Sequence, residues 1–424
     1  MKQGYLEYKE SGYEWLGEIP LHWELKKAKW SFKEKSIKGY PDELLLSVSK
    51  GKGVIPRGEL ENKTVMAFKD LQNFKLVLPE DFVIHLRSFQ SGFEMSMNKG
   101  IVSPAYTVFS CKNGLLPSYY KFLFYMQNFI DAIASTTQSL RDGKPIAYRD
   151  FSNMVLPFPK YNEQVKIANF LKVKLKEVDN LIYTKKKLIL LLEQQRQSII
   201  TEAVTKGLNP NVKLKDSGVE WIGEIPEHWA LNKIKYCVNL LGEKAEEQTT
   251  LQYLGLENIE SKTGRYIPTE DVDIDGSAIK FFKGNVLFGK LRPYLTKVLL
   301  AEFNGRCSTE ILVLETLSSI INNAYLKSLL LTPNFIDEIN SSTYGSKMPR
   351  ANWSFIGNTL IPLPPLSEQE VIVKEIMEVD ERYFILISKL KNQIEKLKEY
   401  RQALIYEAVT GKIDVRDMEL DEVR

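Results

Sequence analysis

The chain is written twice. Residues 8–30, YKESGYEWLGEIPLHWELKKAKW, recur as residues 214–236, LKDSGVEWIGEIPEHWALNKIKY, with 14 of 23 positions identical at an offset of 206. A second segment, residues 157–205, recurs as residues 362–410 at an offset of 205; each copy holds a Glu-Gln pair (Glu163-Gln164, Glu368-Gln369) and closes on RQSIITEAVT or RQALIYEAVT. The segments between the repeats, about 31–155 and 237–361, are much less alike. A repeated frame around two divergent inserts points to two modules related by a pseudo-twofold axis, offering two different surfaces to a bipartite, asymmetric target. The alternative is an old duplication without functional symmetry.

Composition narrows the classes. With 424 residues, 44% hydrophobic and 26% charged, the chain is globular and long enough for two or three domains. The densest apolar cluster, Leu188 to Leu192, is five residues, far short of a membrane span. Met1 to Tyr5 leads into charged residues and does not resemble a signal peptide. Cys111, Cys237 and Cys307 are widely separated and suit a reducing cytosol, and three histidines argue against a multi-histidine metal site. There is no glycine-rich dinucleotide turn and no Walker lysine. The one Pro-Pro, Pro364-Pro365, follows Leu363, so a methyltransferase catalytic run is also missing. Pro41-Asp42 with Glu61-Asn62-Lys63 fits a loose metal-nuclease spacing, but no second acidic cluster supports it. His22 and His228 in the twin IP-x-HW runs, with Trp15 and Trp221, read as packing residues.

The second repeat carries a heptad seam. In the first copy it runs Leu171, Leu175, Val178, Ile182, Lys185, Ile189, Leu192, Arg196, Ile199, Ala203; in the second, Ile376, Asp380, Tyr383, Ile387, Leu390, Ile394, Leu397, Arg401, Leu404, Ala408. Asn162 and the Ser367–Glu370 capping box mark the starts, and Gly207 and Gly411 mark the ends. Helices of about 40 residues span roughly 60 Å. One exposed seam on each is best covered by the other, as an antiparallel pair that acts as a rigid spacer. Arg196 and Arg401 interrupt both seams at one register; they either snorkel to the seam edge or pair with acidic groups of a partner subunit.

The inserts read as mixed α/β modules. Strand-like runs are Leu44–Val48, Lys75–Leu78, Asp81–Ile84 and Tyr106–Phe109 in the first, Asn285–Phe288 and Glu310–Leu314 in the second; 117–134 and 320–331 follow a helical period. Basic, amide and glycine residues recur in three loops of each insert. The first offers Lys50, Lys52 and Arg57, then Arg87, Ser88 and Gln90, then Gln138, Arg141 and Lys144. The second offers Asn258, Lys262 and Arg265, then Lys290, Arg292, Tyr294 and Lys297, then Tyr344, Lys347, Arg350 and Asn352. Arg, Asn and Gln read purine edges in pairs of hydrogen bonds, and Lys, Ser and glycine amides bind phosphates, so these loops are candidate DNA contacts.

SGYEWLGEIPLHW and SGVEWIGEIPEHW resemble the opening signature of recognition units in the specificity (S) subunit of type I restriction–modification systems. LPFPKYNEQ and LPPLSEQ, and the helices that follow, are similar to that family's central and C-terminal helical regions; GKLRPYL and SVSKGKGVIPR resemble parts of its recognition domains. The second helix departs from the family's pattern: Asp380 sits at a seam position, and Tyr383-Phe384 replace the usual small or acidic residues. The resemblance implies an α+β chain: two mixed α/β target-recognition domains (1–156 and 208–361) separated by an antiparallel two-helix coiled coil (157–207 and 362–412), with a tail, 413–424. It implies a non-catalytic, cytoplasmic subunit of a bacterial or archaeal phage-defence complex. Each domain would bind half of a split double-stranded DNA site. Two modification (methyltransferase) subunits would dock on the helices, with Glu163, Gln164, Arg196, Glu368, Gln369 and Arg401 as docking candidates, and restriction (translocase/nuclease) subunits would join them. S-adenosylmethionine, ATP and magnesium would belong to those partners, with no cofactor or metal in this chain. A scaffold that gathers subunits without reading sequence, and a system that methylates without restricting, remain alternatives.

The net charge of +3 is small for a DNA binder. Residues 31–150 hold 16 basic and 12 acidic residues, and residues 237–355 hold 12 and 14. The first insert is mildly basic and the second is not. Such a chain is expected to bind DNA weakly and salt-sensitively until partners complete the clamp.

Overall fold

The computed structural model describes residues 4–59, 70–85, 92–136, 146–246, 250–269, 277–343, 345 and 347–418. The chain forms two compact units, residues 1–185 with 392–424, and residues 186–391. Both are mixed α+β and repeat one sheet plan. In the first unit an antiparallel sheet runs in the order Phe32–Lys35, Thr107–Cys111, Phe82–Ile84, Phe93–Met95. In the second the order is Val238–Leu241, Ile311–Thr316, Val286–Gly289, Val298–Leu300. The strand-like runs read from the sequence all fall on strands, within two residues. The helical period over 117–134 resolves into two helices, Pro117–Phe124 and Gln127–Thr136, because the chain turns at Tyr125-Met126.

The cores differ where the sequences differ. The first packs aromatic rings edge to face or tilted around Phe32, Phe93, Phe109 and Phe124, all 1% exposed or less. Such pairs add about 0.5–1.5 kcal/mol each beyond area burial. The second is mainly aliphatic, with Val286, Leu314, Leu326 and Leu329 fully buried.

Around each insert the repeated frame closes in the same way. Glu24–Lys27 pairs antiparallel with Val155–Phe158, and Ala230–Lys233 with Leu360–Leu363. Each pairing delivers the strand that leads into a long helix, Tyr161–Lys206 or Leu366–Val409. None of the twenty seam positions read from the sequence is exposed. The helices run antiparallel within each unit: Asp179 meets Arg401 and Lys185 meets Gln393 in the first, Arg196 meets Asp380 in the second. No helix among the described residues is long and apolar enough to cross a membrane.

Two boundaries differ from the sequence reading. Both helices start a residue earlier than their expected caps: Tyr161 precedes Asn162 and Leu366 precedes Ser367. The first turns are closed by the carbonyls of Lys160 and Pro365 instead. The division that set the helices and the tail apart from the modules also changes. Leu404, Ala408 and Val409 with Ile413 and Val415 join the core of the first unit. Ile200, Ala203 and Val204 with Ile372 and Ile376 join that of the second. Beyond the seam these helix ends carry more apolar surface than one partner helix covers. Tyr119 and Tyr325, at equivalent places in the two inserts, donate to the last-turn carbonyls of Val409 (2.8 Å) and Val204 (3.0 Å).

Gly411 and Gly207 end the helices at φ +74° and +76°. A Cβ at Gly411 would lie 2.4 Å from Pro20, whereas one at Gly218, φ +68°, would meet nothing within 4 Å. Gly218→Ala is expected to cost about 1–2 kcal/mol from backbone strain alone. Gly411→Ala should cost a further ~1–3 kcal/mol from overpacking. Thermal unfolding of the two variants side by side measures the difference, and equal losses would show that Pro20 yields freely.

Candidate nucleic-acid interface

The twin HW and EQ motifs explain each other. Glu163 accepts from the Tyr5 hydroxyl at 2.5 Å and from Trp23 Nε1 at 3.0 Å, and lies 3.1 Å from His22 Nε2. Glu368 accepts from Trp229 Nε1 at 3.1 Å and lies 2.8 Å from His228 Nε2. Gln164 accepts from the Leu116 amide and donates to the Pro159 carbonyl; Gln369 accepts from the Asn322 amide and donates to Ile320 and Pro364. Burial and the Glu163 carboxylate push the Tyr5 hydroxyl far above its ordinary range. The four residues expected to dock a partner are thus turned inward: they pin each recognition module to its long helix. Arg196 and Arg401 are likewise paired within the chain, with Asp380 at 2.7 Å and Asp179 at 3.0 Å, rather than with a partner's acidic groups.

In the first module Lys50 and Lys52 stand exposed at the tip of a hairpin, Leu46–Ser49 with Gly53–Pro56. Arg57 is half-buried at the start of the turn that follows. The tip is held from beneath by Glu94, which is fully buried and accepts from the Gly51 amide at 2.7 Å, from the Gly53 amide and from the Tyr125 hydroxyl. Burial raises the Glu94 carboxyl above its ordinary range. Sequence reasoning passed over Glu94, since one acid inside a strand carries no pattern. Arg87, Ser88, Gln90, Gln138, Arg141 and Lys144, like Glu61, Asn62 and Lys63 of the nuclease-like spacing, lie outside the described residues. Asp42 is described and exposed.

In the second module the three candidate loops are stitched to one another by backbone bonds. The Lys262 amide donates to Thr296, the Arg292 amide to Pro349 and the Ala351 amide to Lys290. Leu291 and Arg350 form an antiparallel bridge. Lys262, Tyr294 and Lys347 are exposed and Lys290 and Arg292 half-exposed on the resulting surface. Arg292 holds a left-handed φ of +52° and its guanidinium reaches the Lys347 carbonyl at 3.4 Å. Arg350 is tied to Glu310 through Nε and Nη2 at 3.1–3.2 Å. Asn352 caps the short helix Trp353–Ile356, and Tyr344 lies outside the described residues.

Three candidates turn inward, which corrects their reading as DNA contacts. Asn258 is 2% exposed, accepts from Gly255 and donates to Ile267 and Thr269, so its amide is fully engaged. Lys297 donates to the carbonyls of Leu256 and Ile259, and burial lowers its pKa. Arg265 sits over the ring of Phe384 of the second long helix, its Cζ 3.4 Å from the ring centre. Conversely, Arg306 was not singled out. It is half-buried between Tyr253 and Lys280 on neighbouring strands, and its buried Nε has no hydrogen-bond partner among the described residues. A strand arginine facing a lysine is a cost unless an anion relieves it.

The chain is similar to several known proteins. The family model of the type I restriction modification DNA specificity domain matches residues 246–396. The type I restriction enzyme EcoDI specificity subunit of Escherichia coli is 24% identical over 285 residues, which span 62% of this chain and 63% of that protein. The type I restriction enzyme MjaVIII specificity subunit of Methanocaldococcus jannaschii is 25% identical over 83% of both chains. A solved chain from a study of complex assembly and conformational transition in the type I R-M system shares the fold, with a TM-score of 0.71 at 14% identity, covering 93% of this chain and 99% of that one.

Proposed function

We propose that the chain is a specificity subunit of the type I restriction–modification family, which it resembles over residues 246–396, and that it reads a split DNA site, one half with each unit's recognition domain. The paired long helices set the unread gap between the halves and hold the methyltransferase subunits. The observation that carries this reading is the stitching of the 258–265, 289–297 and 347–352 loops into one surface with Lys262, Tyr294 and Lys347 exposed and Arg292 half-exposed. Lysines there suit phosphates, and Arg292 suits a guanine edge. The hairpin tip with Lys50 and Lys52 is the corresponding candidate in the first module.

Subunit docking moves from the internal Glu-Gln pairs to the outer helix faces. Met377 and Ile385 are 64% and 42% exposed, among Glu378, Glu381 and Arg382. An apolar row rimmed by charge suits a protein partner. S-adenosylmethionine, ATP and magnesium belong to those partners in this proposal, as does all bond-making chemistry, and the assembly works in the cytoplasm.

Half-sites about one DNA turn (~34 Å) apart share one face of the duplex. Inserting four residues into both helices, after Lys185 and after Lys391, adds about 6 Å at 1.5 Å per residue. The methylation map of that variant is expected to show a longer spacer between unchanged half-sites. An unchanged spacer refutes the ruler.

A further inference from the structure

The two helices treat equivalent positions differently. At the repeat offset of 205, Arg196 corresponds to Arg401, Phe384 to Asp179, and Asp380 to Leu175. In the first unit Arg401 pairs with Asp179. In the second unit Arg196 pairs with Asp380, one helical turn before the equivalent position, and that position holds Phe384. The displaced acid leaves a ring free, and Arg265 of the recognition domain lies on it.

This contact crosses a gap. A cavity of about 570 Å³ separates the 260–265 loop from the helices, lined by Leu190, Glu193, Glu260, Asp337 and Ser388. Close packing therefore does not set the angle between domain and helices on this side. Discrete struts do: Arg265 on Phe384, and Gln197 donating to the Leu331 carbonyl at 3.2 Å. The Arg265 strut continues to the reading surface. The Glu260 amide donates to the Arg265 carbonyl at 2.9 Å, and the Lys262 amide donates to Thr296 at 3.0 Å, beside Tyr294.

We propose that Arg265 and Phe384 are positioning residues that fix the angle at which the second recognition domain's loops leave the helix pair, and with it the spacer length accepted. The inference rests on the split-site reading above. A planar guanidinium on an aromatic face is a directional contact, and its loss frees a hinge rather than unfolding a core.

The test uses the complex with its methyltransferase subunits and duplexes carrying the mapped site with its own spacer or one base pair more or less. Phe384→Ala is expected to lower the ratio of methylation at the native spacer to that at the altered spacers by about ten-fold. Phe384→Tyr, which keeps the ring, should stay within about two-fold. Arg265→Ala should match Phe384→Ala, and the double variant should add nothing. An unchanged ratio in both single variants overturns the proposal. So does a uniform loss at every spacer confined to Arg265→Ala, which would make Arg265 a DNA contact. A wild-type complex that methylates no bipartite motif overturns the split-site reading itself, and this inference with it.

Discussion

Glu163→Leu is expected to melt the first unit well ahead of the second. Three donors converge on this carboxylate, from Tyr5, Trp23 and His22. Glu163 is 6% exposed and Trp23 not at all, so neither the tyrosine nor the indole finds water when the acceptor goes. Each orphaned buried donor costs about 1–3 kcal/mol. His22 is 38% exposed and re-solvates, which leaves a total on the order of 3–5 kcal/mol, a large fraction of a domain's ~5–15 kcal/mol. Glu368→Leu should cost less, because Glu368 and His228 are 31% and 50% exposed and, among the described residues, no hydroxyl matches that of Tyr5. Differential scanning calorimetry of the two variants reads both losses. Equal shifts would mean that the difference in burial between the two copies has no energetic weight.

Removing three cations from the second module, Lys262→Ala, Arg292→Ala and Lys347→Ala together, should weaken DNA binding without changing stability, since none of the three is buried. Each phosphate contact contributes about 0.9 to the slope of log affinity against log salt, so loss of the two lysines should lower the slope by up to about 1.8. Between 50 and 200 mM salt, the assembled wild-type complex would then lose roughly 12-fold more affinity than the variant. Arg350→Ala should have a smaller effect, because Glu310 already neutralises that guanidinium. Anisotropy titrations of the complex at several salt concentrations give the slopes, and an unchanged slope would place the phosphate contacts elsewhere.

The frame was legible because burial has a period. Every seam position chosen for its four-and-three spacing is covered, and the two glycines end their helices where a left-handed residue is needed. The repetition of Glu-Gln marked a constraint but not its direction. A buried acceptor for an indole and a docking acid look alike in sequence, and only the strand pairing of Glu24–Lys27 with Val155–Phe158 brings Trp23 to Glu163. The loops were harder to read for a related reason. Lys297 and Asn258 bond to backbone groups, and backbone groups leave no mark in the sequence. Phe384 was visible as a departure from the family's pattern, but its use required the position of Arg265.

The two units also differ in when they can exist. The second is one unbroken stretch, residues 186–391, and can fold as soon as that stretch has left the ribosome. The first is interrupted: its core contains Leu404, Val409 and Ile413, all made after the second unit, and Tyr119 waits for the carbonyl of Val409, 290 residues downstream. At about 5–20 residues per second, the interval is roughly 15–60 s. During that time the aromatic core of the first unit lacks one wall. The module synthesised first is therefore completed last, and it passes through its aggregation-prone stage while the chain is still being made.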